Sequence, residues 1–472
     1  MDRRRFLQGA ASVAAGVLVG CDARTATDEA ETGDTSATPQ EPPRRSRPGV
    51  AWDGVATPDA EAFPFGVQVG DPTQGSAVFW TATRPDASVT VHIAWWDEGT
   101  QAWGAATEVT AVADAAGYVH ALVEDLASDA AFAFQFVDAA GAGSSIGHAR
   151  TAPDVGAQGV VSLGFTSCLA QRHEVFPSLQ ATQVEGPLDA FLFLGDTGYF
   201  DDLVGIDAYR ALWQRQLVAP GLQDVLRAAA VTYTWDDHEF ENNLDPVTDL
   251  DALTWGRQAF FEATPSRRDL DAPDRRWRSL RLGAAVEVFV LDCRTERRAA
   301  EGQYLSPAQL EWFLTAVAAS TATWKLVMNS VPIARLDGSI WDVPLAENDR
   351  WEGFPTQRQA VIDALAQVPG VVFLSGDIHC PALARLDADG PGAAMWDLIG
   401  GPGGSSPNPG AVVLQQQPNV AWAAQIYNAV RLDASALGTL RARWYDEEGN
   451  VRCDATLAND GALVSISTFD PA

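Results

Sequence analysis

Six short, mainly apolar runs constrain the fold of the last two thirds of this sequence more than any other feature. From about residue 159 they alternate with longer segments of helical periodicity, such as 307–319 and 356–368. The runs are 160–165, 190–194, 230–234, 286–291, 325–328 and 371–374. Buried strands that alternate with helices are typical of an α/β domain. Ser306 and Pro307 predict where one of the helices begins.

Chemically active side chains follow every one of these runs. They are Cys168, Asp196, Tyr199, Asp236, Asp237, His238, Asp292, Asn329, Asp377 and His379. In α/β proteins, ligands bind beyond the carboxyl ends of the strands. A single strand-end aspartate is explained well enough as the cap of the next helix. The complete set at one edge favours a metal centre.

The ligand types narrow the choice of metal. After residue 159 the sequence contains only three histidines, His173, His238 and His379, so a zinc site made of imidazoles alone is excluded. Carboxylate oxygens favour hard cations such as Ca²⁺, Mg²⁺ or Mn²⁺, and a thiolate beside a phenolate suits Fe³⁺. Two cations about 3.5–4 Å apart can hold a phosphoryl group and activate a water or hydroxide. The sequence therefore predicts hydrolysis of a phosphate ester.

The segment before this domain has a different pattern. Between residues 56 and 155, short stretches of alternating apolar and polar residues are separated by Gly and Pro, as in 75–80, 89–95 and 131–136. This pattern predicts a β-sandwich. Titratable residues are not clustered here, so we expect the chemistry to lie in residues 156–472.

The first 55 residues resemble an export signal and a tether. Arg3 to Arg5, Phe6 and Leu7 precede an apolar run that ends in Leu18-Val19-Gly20-Cys21, a pattern that predicts a twin-arginine lipoprotein signal peptide over residues 1–20. The run is too short for a membrane span, which needs about 20 residues. We expect lipidation at Cys21, a disordered tether over residues 21–55, and a periplasmic or cell-surface protein attached to a membrane.

Several motifs resemble the PhoD-like branch of the calcineurin-like metallophosphoesterases. They include Trp-Asp-Asp-His-Glu at 235–239, Gly-Asp-Ile-His at 376–379, Leu-Asp-Cys-Arg at 291–294 and Phe-Pro-Phe-Gly-Val at 63–67. The resemblance covers about residues 60 to 460. It implies a fibronectin III-like β-sandwich followed by a metallophosphoesterase β-sandwich core flanked by helices in an αββα arrangement. One departure is the acidic loop after Asp196, where Thr197-Gly198 precede Tyr199 and Phe200-Asp201-Asp202 follow it.

The resemblance also implies a site. Asp196 is expected to bridge two metals, with Cys168, Tyr199 and His379 completing a ferric site and Asp237 and Asp377 holding Ca²⁺. Asn242 or Asn329 is a further candidate ligand for metal or phosphate. His238 is expected to bind the phosphate or protonate the leaving group, and Asp236 or Glu239 to orient it. Mg²⁺, Mn²⁺ and Zn²⁺ are the alternatives to Fe³⁺ and Ca²⁺.

These residues lead to the expectation of an exported alkaline phosphatase or phosphodiesterase that hydrolyses phosphate monoesters, diesters or both. The alternative is a non-catalytic lipoprotein that binds a phosphorylated glycan or lipid. The net charge limits the classes of molecule that the protein can bind. Its 32 Lys and Arg against 62 Asp and Glu give a formal net charge of −30. A protein this acidic repels nucleic-acid polymers, which are therefore not expected as partners.

Overall fold

The computed structural model describes residues 48–170, 175–336 and 349–469. The predicted signal peptide, Cys21 and the tether up to residue 47 lie outside the described residues. Within the described ranges, no helix has the length and apolar character needed to cross a membrane.

The secondary structure is numbered along the chain. The strands are β1 (Val67–Gly70), β2 (Ala77–Ala82), β3 (Ser88–Asp97), β4 (Ala102–Trp103), β5 (Thr107–Val112), β6 (Tyr118–Val123), β7 (Ala131–Asp138), β8 (Gly147–Arg150), β9 (Val160–Thr166), β10 (Ala190–Leu194), β11 (Ala230–Thr234), β12 (Arg278–Leu282), β13 (Val286–Val290), β14 (Trp324–Met328), β15 (Val371–Ser375), β16 (Ala382–Arg385), β17 (Trp396–Ile399), β18 (Val420–Ala423), β19 (Ala429–Ser435), β20 (Thr439–Tyr445), β21 (Val451–Ala458) and β22 (Leu463–Thr468). The helices are α1 (Pro177–Ala181), α2 (Ile206–Leu217), α3 (Pro220–Leu226), α4 (Leu250–Ala263), α5 (Pro307–Ala319), α6 (Pro355–Leu365) and α7 (Ala411–Leu414).

All six apolar runs form strands, and the structure divides them between two sheets. In the described residues, the first sheet has the order β22-β21-β20-β19-β9-β10-β11-β1-β2-β6, and the second has β12-β13-β14-β15-β17-β16-β18. Strands β9, β10 and β11 run parallel to one another, as do β13, β14 and β15. Each sheet therefore contributes three of the strand ends that carry polar residues.

The two sheets face each other and carry helices on their outer faces, as the resemblance predicts. Alternation along each strand separates the layers. On β10, Leu192 packs into the core between the sheets, whereas Phe191 and Phe193 pack outward with Trp213 of α2 and Phe260 of α4. The second sheet likewise packs outward against α5 and α6. The αββα arrangement is confirmed.

The N-terminal β-sandwich is also present, and it shares a sheet with the rest of the chain. Strands β3, β4, β5, β7 and β8 form a separate sheet in the described residues. It packs through Val91 and Phe134 against Phe79 of β2. The partners β1, β2 and β6 belong to the first large sheet, because β1 pairs in parallel with β11 at Gly70 and Val231. The sandwich is therefore continuous with the sheet that carries the site.

Local sequence explains the helix that was predicted from Ser306 and Pro307. The Ser306 side chain accepts a hydrogen bond from the backbone N–H of Gln309, and Pro307 occupies the first turn of α5. Phe313 and Val317, one turn apart, bury its inner face. Among the described cysteines, Cys168, Cys293, Cys380 and Cys453 are all buried and free, so none of them forms a disulfide.

Candidate metal centre

Four candidate ligands lie on left-handed backbone directly after strands. Their φ angles are 57° for Cys168, 53° for Asp196, 63° for Asp377 and 54° for His379. Residues other than glycine rarely adopt this conformation, and such strain costs of order 1–3 kcal/mol per residue. The chain turns sharply after β9, β10 and β15, and these turns bring side chains from both sheets to one place.

The four residues expected at the ferric position lie together. Ligand atoms of Cys168, Asp196 and His379 are all within 4.8 Å of one another. The Tyr199 hydroxyl lies 2.8 Å from Nε2 of His379 and donates to Oδ2 of Asp196 at 3.4 Å. The Ser405 hydroxyl donates to the Tyr199 oxygen at 2.6 Å. This thiol, phenol, carboxylate and imidazole set has the donor chemistry of a ferric site.

An oxygen-rich group lies beside the first. Asp236, Asp237 and Asp377 have ligand atoms within 4.8 Å of one another, and so do Asp196, Asp237 and His238. Asp196 therefore belongs to the group with Cys168 and to the group with Asp237. This is the position that a carboxylate bridging two cations would occupy.

Arg294 is the arginine that contacts most of this cluster. The buried guanidinium of Arg294 pairs with Asp236 through Nε and with Asp349 through Nη1. Its Nη2 lies 3.5 Å from Asp237 and 3.6 Å from Asp377. Arg294 therefore serves four carboxylates, and Asp349 also has Arg297 at 3.4 Å. Among the described residues, the carboxylates of the cluster outnumber the arginines that contact them.

Proton affinities reflect this excess of negative charge. Burial raises the pKa of Asp196 well above its ordinary value. Burial, followed by repulsion from Asp236 and Asp349, raises the pKa of Asp377 to about 8. Burial and then Asp196 also raise the pKa of the Cys168 thiol and the Tyr199 phenol. A bound cation would lower each of these pKa values.

An unpaired oxygen supports the same interpretation. Oδ1 of Asp196 is buried and has no hydrogen-bond partner in the described part of the chain. Buried carboxylate oxygens are normally hydrogen-bonded, ion-paired or bound to a metal. The residues present therefore fit a metal centre.

The structure pairs His238 with a carboxylate other than the two predicted. Nδ1 of His238 lies 2.7 and 2.9 Å from the two carboxylate oxygens of Asp201. The expectation that Asp236 or Glu239 orients His238 is corrected here, because Asp236 instead accepts from Arg294 and from the Ser330 hydroxyl at 2.9 Å. Residues 201 and 238 meet because the Phe200 N–H donates to the His238 carbonyl at 2.9 Å. The acidic loop after Tyr199, which contains Asp201, is the feature of the sequence that could have indicated this partner of His238.

The charges around His238 favour its protonated form. Burial alone would lower the pKa of His238, but the Asp196 carboxylate and the hydrogen bond to Asp201 outweigh burial and raise the pKa to about 10. The Tyr199 ring lies against the imidazole, with 4.0 Å between ring centroids. With Nδ1 held by Asp201, Nε2 is the nitrogen left to face a ligand.

Glu239 supports the backbone of the site rather than His238. Its buried carboxylate accepts hydrogen bonds from the N–H groups of Asp196, Thr197 and Asp236, at 2.9, 2.6 and 2.8 Å. Burial raises the pKa of Glu239 to about 7. One side chain thus ties the turn after β10 to the turn after β11, a role that spacing in the sequence does not reveal.

The two asparagines proposed as further ligands are placed less favourably. The side-chain oxygen of Asn329 is buried and accepts from the Cys293 thiol and the Trp351 indole, both at 3.1 Å, so it is already engaged. Asn242 is exposed, and it is the backbone of its neighbour Asn243 that donates to Asp237, at 2.5 Å. The structure brings neither side chain into the groups described above.

A cavity of about 610 Å³ opens at this cluster. The described residues that line it are Ala170, Tyr199, Asp201, Arg215, His379, Ser405 and Ser406. Pockets of about 300–1,000 Å³ hold ligands of drug size. The cavity therefore has room for a phosphate ester with its leaving group.

Comparison with known families and proteins gives a consistent result. The model of the family described as PhoD-like phosphatase matches residues 163–456. The model of the PhoD-like phosphatase N-terminal domain matches residues 49–153. The chain is 24% identical over 449 residues to alkaline phosphatase D of Bacillus subtilis (strain 168), and the match covers 82% of this chain and 73% of that protein.

Solved structures with the same fold include that of PhoD, with a TM-score of 0.75 and 20% identity, covering 89% of this chain and 94% of that one. A purple acid phosphatase isolated from yellow lupin (Lupinus luteus) seeds has a TM-score of 0.62 and 14% identity, with coverage of 84% and 74%. At these identities the structural matches establish the fold alone.

Proposed function

The chain belongs to the PhoD-like phosphatase family and hydrolyses phosphoric ester bonds, and from this premise we propose that it is an exported, metal-dependent phosphomonoesterase and phosphodiesterase. The metal dependence rests on the buried Oδ1 of Asp196, which has no hydrogen-bond partner among the described residues and belongs to two groups of candidate metal ligands.

In this proposal Cys168, Asp196, Tyr199 and His379 would hold Fe³⁺, and Asp196, Asp237 and Asp377 would hold Ca²⁺. The donor types support this assignment, since thiolate and phenolate favour Fe³⁺ and carboxylates favour Ca²⁺. When bound, the two cations would neutralise the phosphate and lower the pKa of a nearby water.

The protein side chains would then handle the proton on the leaving group. Asp201 holds Nδ1 of His238 and fixes the direction of the imidazole. Nε2 would then donate a proton to the departing alkoxide, so that His238 acts as a general acid. Glu239 keeps the turns that carry Asp196 and Asp236 in place through three backbone hydrogen bonds. The cavity of about 610 Å³ leaves room for the second ester group of a diester.

We further propose the domain organisation and location that the sequence predicts. The tether predicted for residues 21–55 is corrected at its end, because Val50 accepts from the Trp103 indole and Val55 donates to Gln135 of the β-sandwich, at 2.8 and 2.9 Å. In this proposal residues 1–20 act as a twin-arginine signal peptide, Cys21 carries the lipid, and the residues before 48 tether the β-sandwich of residues 56–155 and the catalytic domain of residues 156–472. The Arg3–Arg5 cluster and the Leu-Val-Gly-Cys run before residue 22 support this location. The net charge of −30 disfavours nucleic-acid polymers as substrates.

The experiment is hydrolysis of an aryl phosphate monoester and an aryl phosphate diester by protein purified with its metals. We expect turnover of both, and its loss after chelation. Turnover that persists at full rate after complete removal of metal contradicts the metal dependence. A protein with measured metal content that hydrolyses only the monoester contradicts the diesterase part.

A further inference from the structure

The cavity at the cluster is lined by one basic side chain that has no role in the site described above. Among the described lining residues, Arg215 is the only arginine or lysine. It lies in the last turn of α2 and is exposed, whereas Asp196 is only 2% exposed. Arg215 is thus placed to contact the part of a ligand that remains at the mouth of the cavity.

The guanidinium of Arg215 has no hydrogen-bond or ion-pair partner in the structure as described. Another arginine of the same helix shows the contrast. Arg210 makes two hydrogen bonds of 2.7 Å to Glu262 and one of 3.2 Å to Asp207. The chain has 62 acidic residues against 32 basic ones, so carboxylates that could pair with an arginine are abundant. Among the described residues, no side chain occupies the guanidinium at the cavity, which leaves it available to a ligand.

The fold fixes the helix end that carries Arg215 relative to the cluster. Its neighbour Gln216 is buried and donates to the carbonyl of Leu169, the residue after Cys168, at 2.9 Å. On the same helix, the rings of Tyr209 and Trp213 each lie 5.4 Å from the ring of Phe200, the residue after Tyr199. The backbone at Arg215 is therefore tied to two of the three loops that carry candidate ferric ligands, those of Cys168 and Tyr199.

From this placement we infer that the cavity selects phosphate esters whose leaving group carries a second anionic group, a carboxylate or another phosphate, which Arg215 binds. Arginine presents paired N–H donors that match both kinds of anion. This inference rests on the proposed function, because the scissile phosphate is assigned to the cluster and only the second anion to Arg215.

The test uses matched substrates and matched variants. Phenyl phosphate is compared with 3-carboxyphenyl and 4-carboxyphenyl phosphate, two isomers that place the second anion at different distances. Arg215→Gln is compared with wild type and with Arg84→Gln, which removes the same charge from a 76% exposed side chain in the N-terminal sandwich. We expect Arg215→Gln to lower kcat/KM for at least one carboxylated ester about tenfold more than for phenyl phosphate, as the loss of a charge-assisted hydrogen bond predicts.

The other outcomes overturn the inference. An equal loss on all three esters places Arg215 at the scissile phosphate, and equal rates in wild type and variant show that it contacts no part of these substrates. A loss of the same size in Arg84→Gln assigns the effect to net charge.

Binding of phenylphosphonate and the carboxyphenylphosphonates, measured by calorimetry, separates this inference from the proposed function. If wild type hydrolyses none of the esters but binds a carboxylated phosphonate about tenfold more tightly than Arg215→Gln does, the proposed function fails and the contact stands. If hydrolysis occurs without any Arg215-dependent preference, the function stands and the inference fails.

Discussion

Two aspartates of the first sheet have the same local setting and opposite surroundings. Asp71 follows β1 and Asp196 follows β10, and both have left-handed backbone, with φ of 45° and 53°. Both are almost fully buried, at 1% and 2% exposure. Asp71 has partners for both oxygens: Arg278 and the Thr232 hydroxyl at Oδ1, and a backbone N–H at Oδ2. Asp196 has none at Oδ1 among the described residues.

The proton affinities of the two carboxyls diverge accordingly. Burial raises the pKa of Asp71, but Arg278 and then Arg276 outweigh burial, so the pKa lies below its ordinary value of 3.8. Burial raises the pKa of Asp196 well above that value, and nearby acidic groups add to the shift. Burial and backbone conformation alone therefore do not distinguish a structural aspartate from a metal ligand. What distinguishes them is whether the protein itself supplies the cation.

The largest expected effect follows from removing the charge of Asp196. Asp196→Asn should lower kcat/KM for an aryl phosphate at least roughly 1,000-fold, because the bridging ligand between the cations is lost. The metal-free variant should be at least as stable to heat as the metal-free wild type at pH 8, since a costly buried carboxylate is gone. Activity within tenfold of wild type contradicts the role of Asp196.

The matched change at Asp71 should have the opposite result. Asp71→Asn should destabilise the protein by about 3 kcal/mol in urea unfolding, because it leaves the charge of Arg278 without its partner. Turnover by the folded fraction should stay within about threefold of wild type. A variant as stable as wild type would remove the contrast between the two aspartates.

The pH dependence of stability gives a second test at Asp71. Its native pKa is lowered, so the carboxylate stabilises the fold above the unfolded value near 3.8, and this contribution is lost as the pH falls through the native pKa. The stability difference between wild type and Asp71→Asn should therefore be constant above about pH 5 and shrink below about pH 4. Unfolding curves measured between pH 3 and 7 test this, and a difference that grows on acidification contradicts it.

An intermediate effect is expected at Asp201. Asp201→Asn should lower kcat for phenyl phosphate roughly 10- to 100-fold, because the imidazole of His238 loses its partner. The loss should be smaller for 2,4-dinitrophenyl phosphate, whose leaving group needs no proton. Asp202→Asn is the matched control, an exposed neighbour that should behave like wild type. Equal losses on both esters would show that Asp201 does not act through proton transfer.

The smallest of these effects is expected at Glu239. Glu239→Gln keeps one acceptor oxygen for the three N–H groups and should lower kcat/KM about tenfold through displaced turns. Wild-type kinetics in this variant would show that the turns after β10 and β11 are fixed without the carboxylate.

The sequence could predict those features that depend on local patterns. Apolar runs and the polar residues after them located the strands and brought Cys168, Asp196, Asp377 and His379 into consideration. Contacts between distant segments could not be predicted in this way. The partner of His238 is 37 residues away, and the partner of Asp71 is 207 residues away. The pairing of β1 with β11, which joins the N-terminal sandwich to the catalytic sheet, likewise depends on tertiary structure.

Elemental analysis of wild type and Cys168→Ser, alongside aryl phosphate hydrolysis, shows directly whether this cluster is a mixed metal centre. Cys293→Ser is the matched control, since its thiol is also buried and free. If the cluster is a mixed metal centre, wild type and Cys293→Ser should contain iron and calcium, and Cys168→Ser should lose iron and turnover but retain calcium. A Cys168→Ser protein that keeps its iron and its activity contradicts the mixed metal centre.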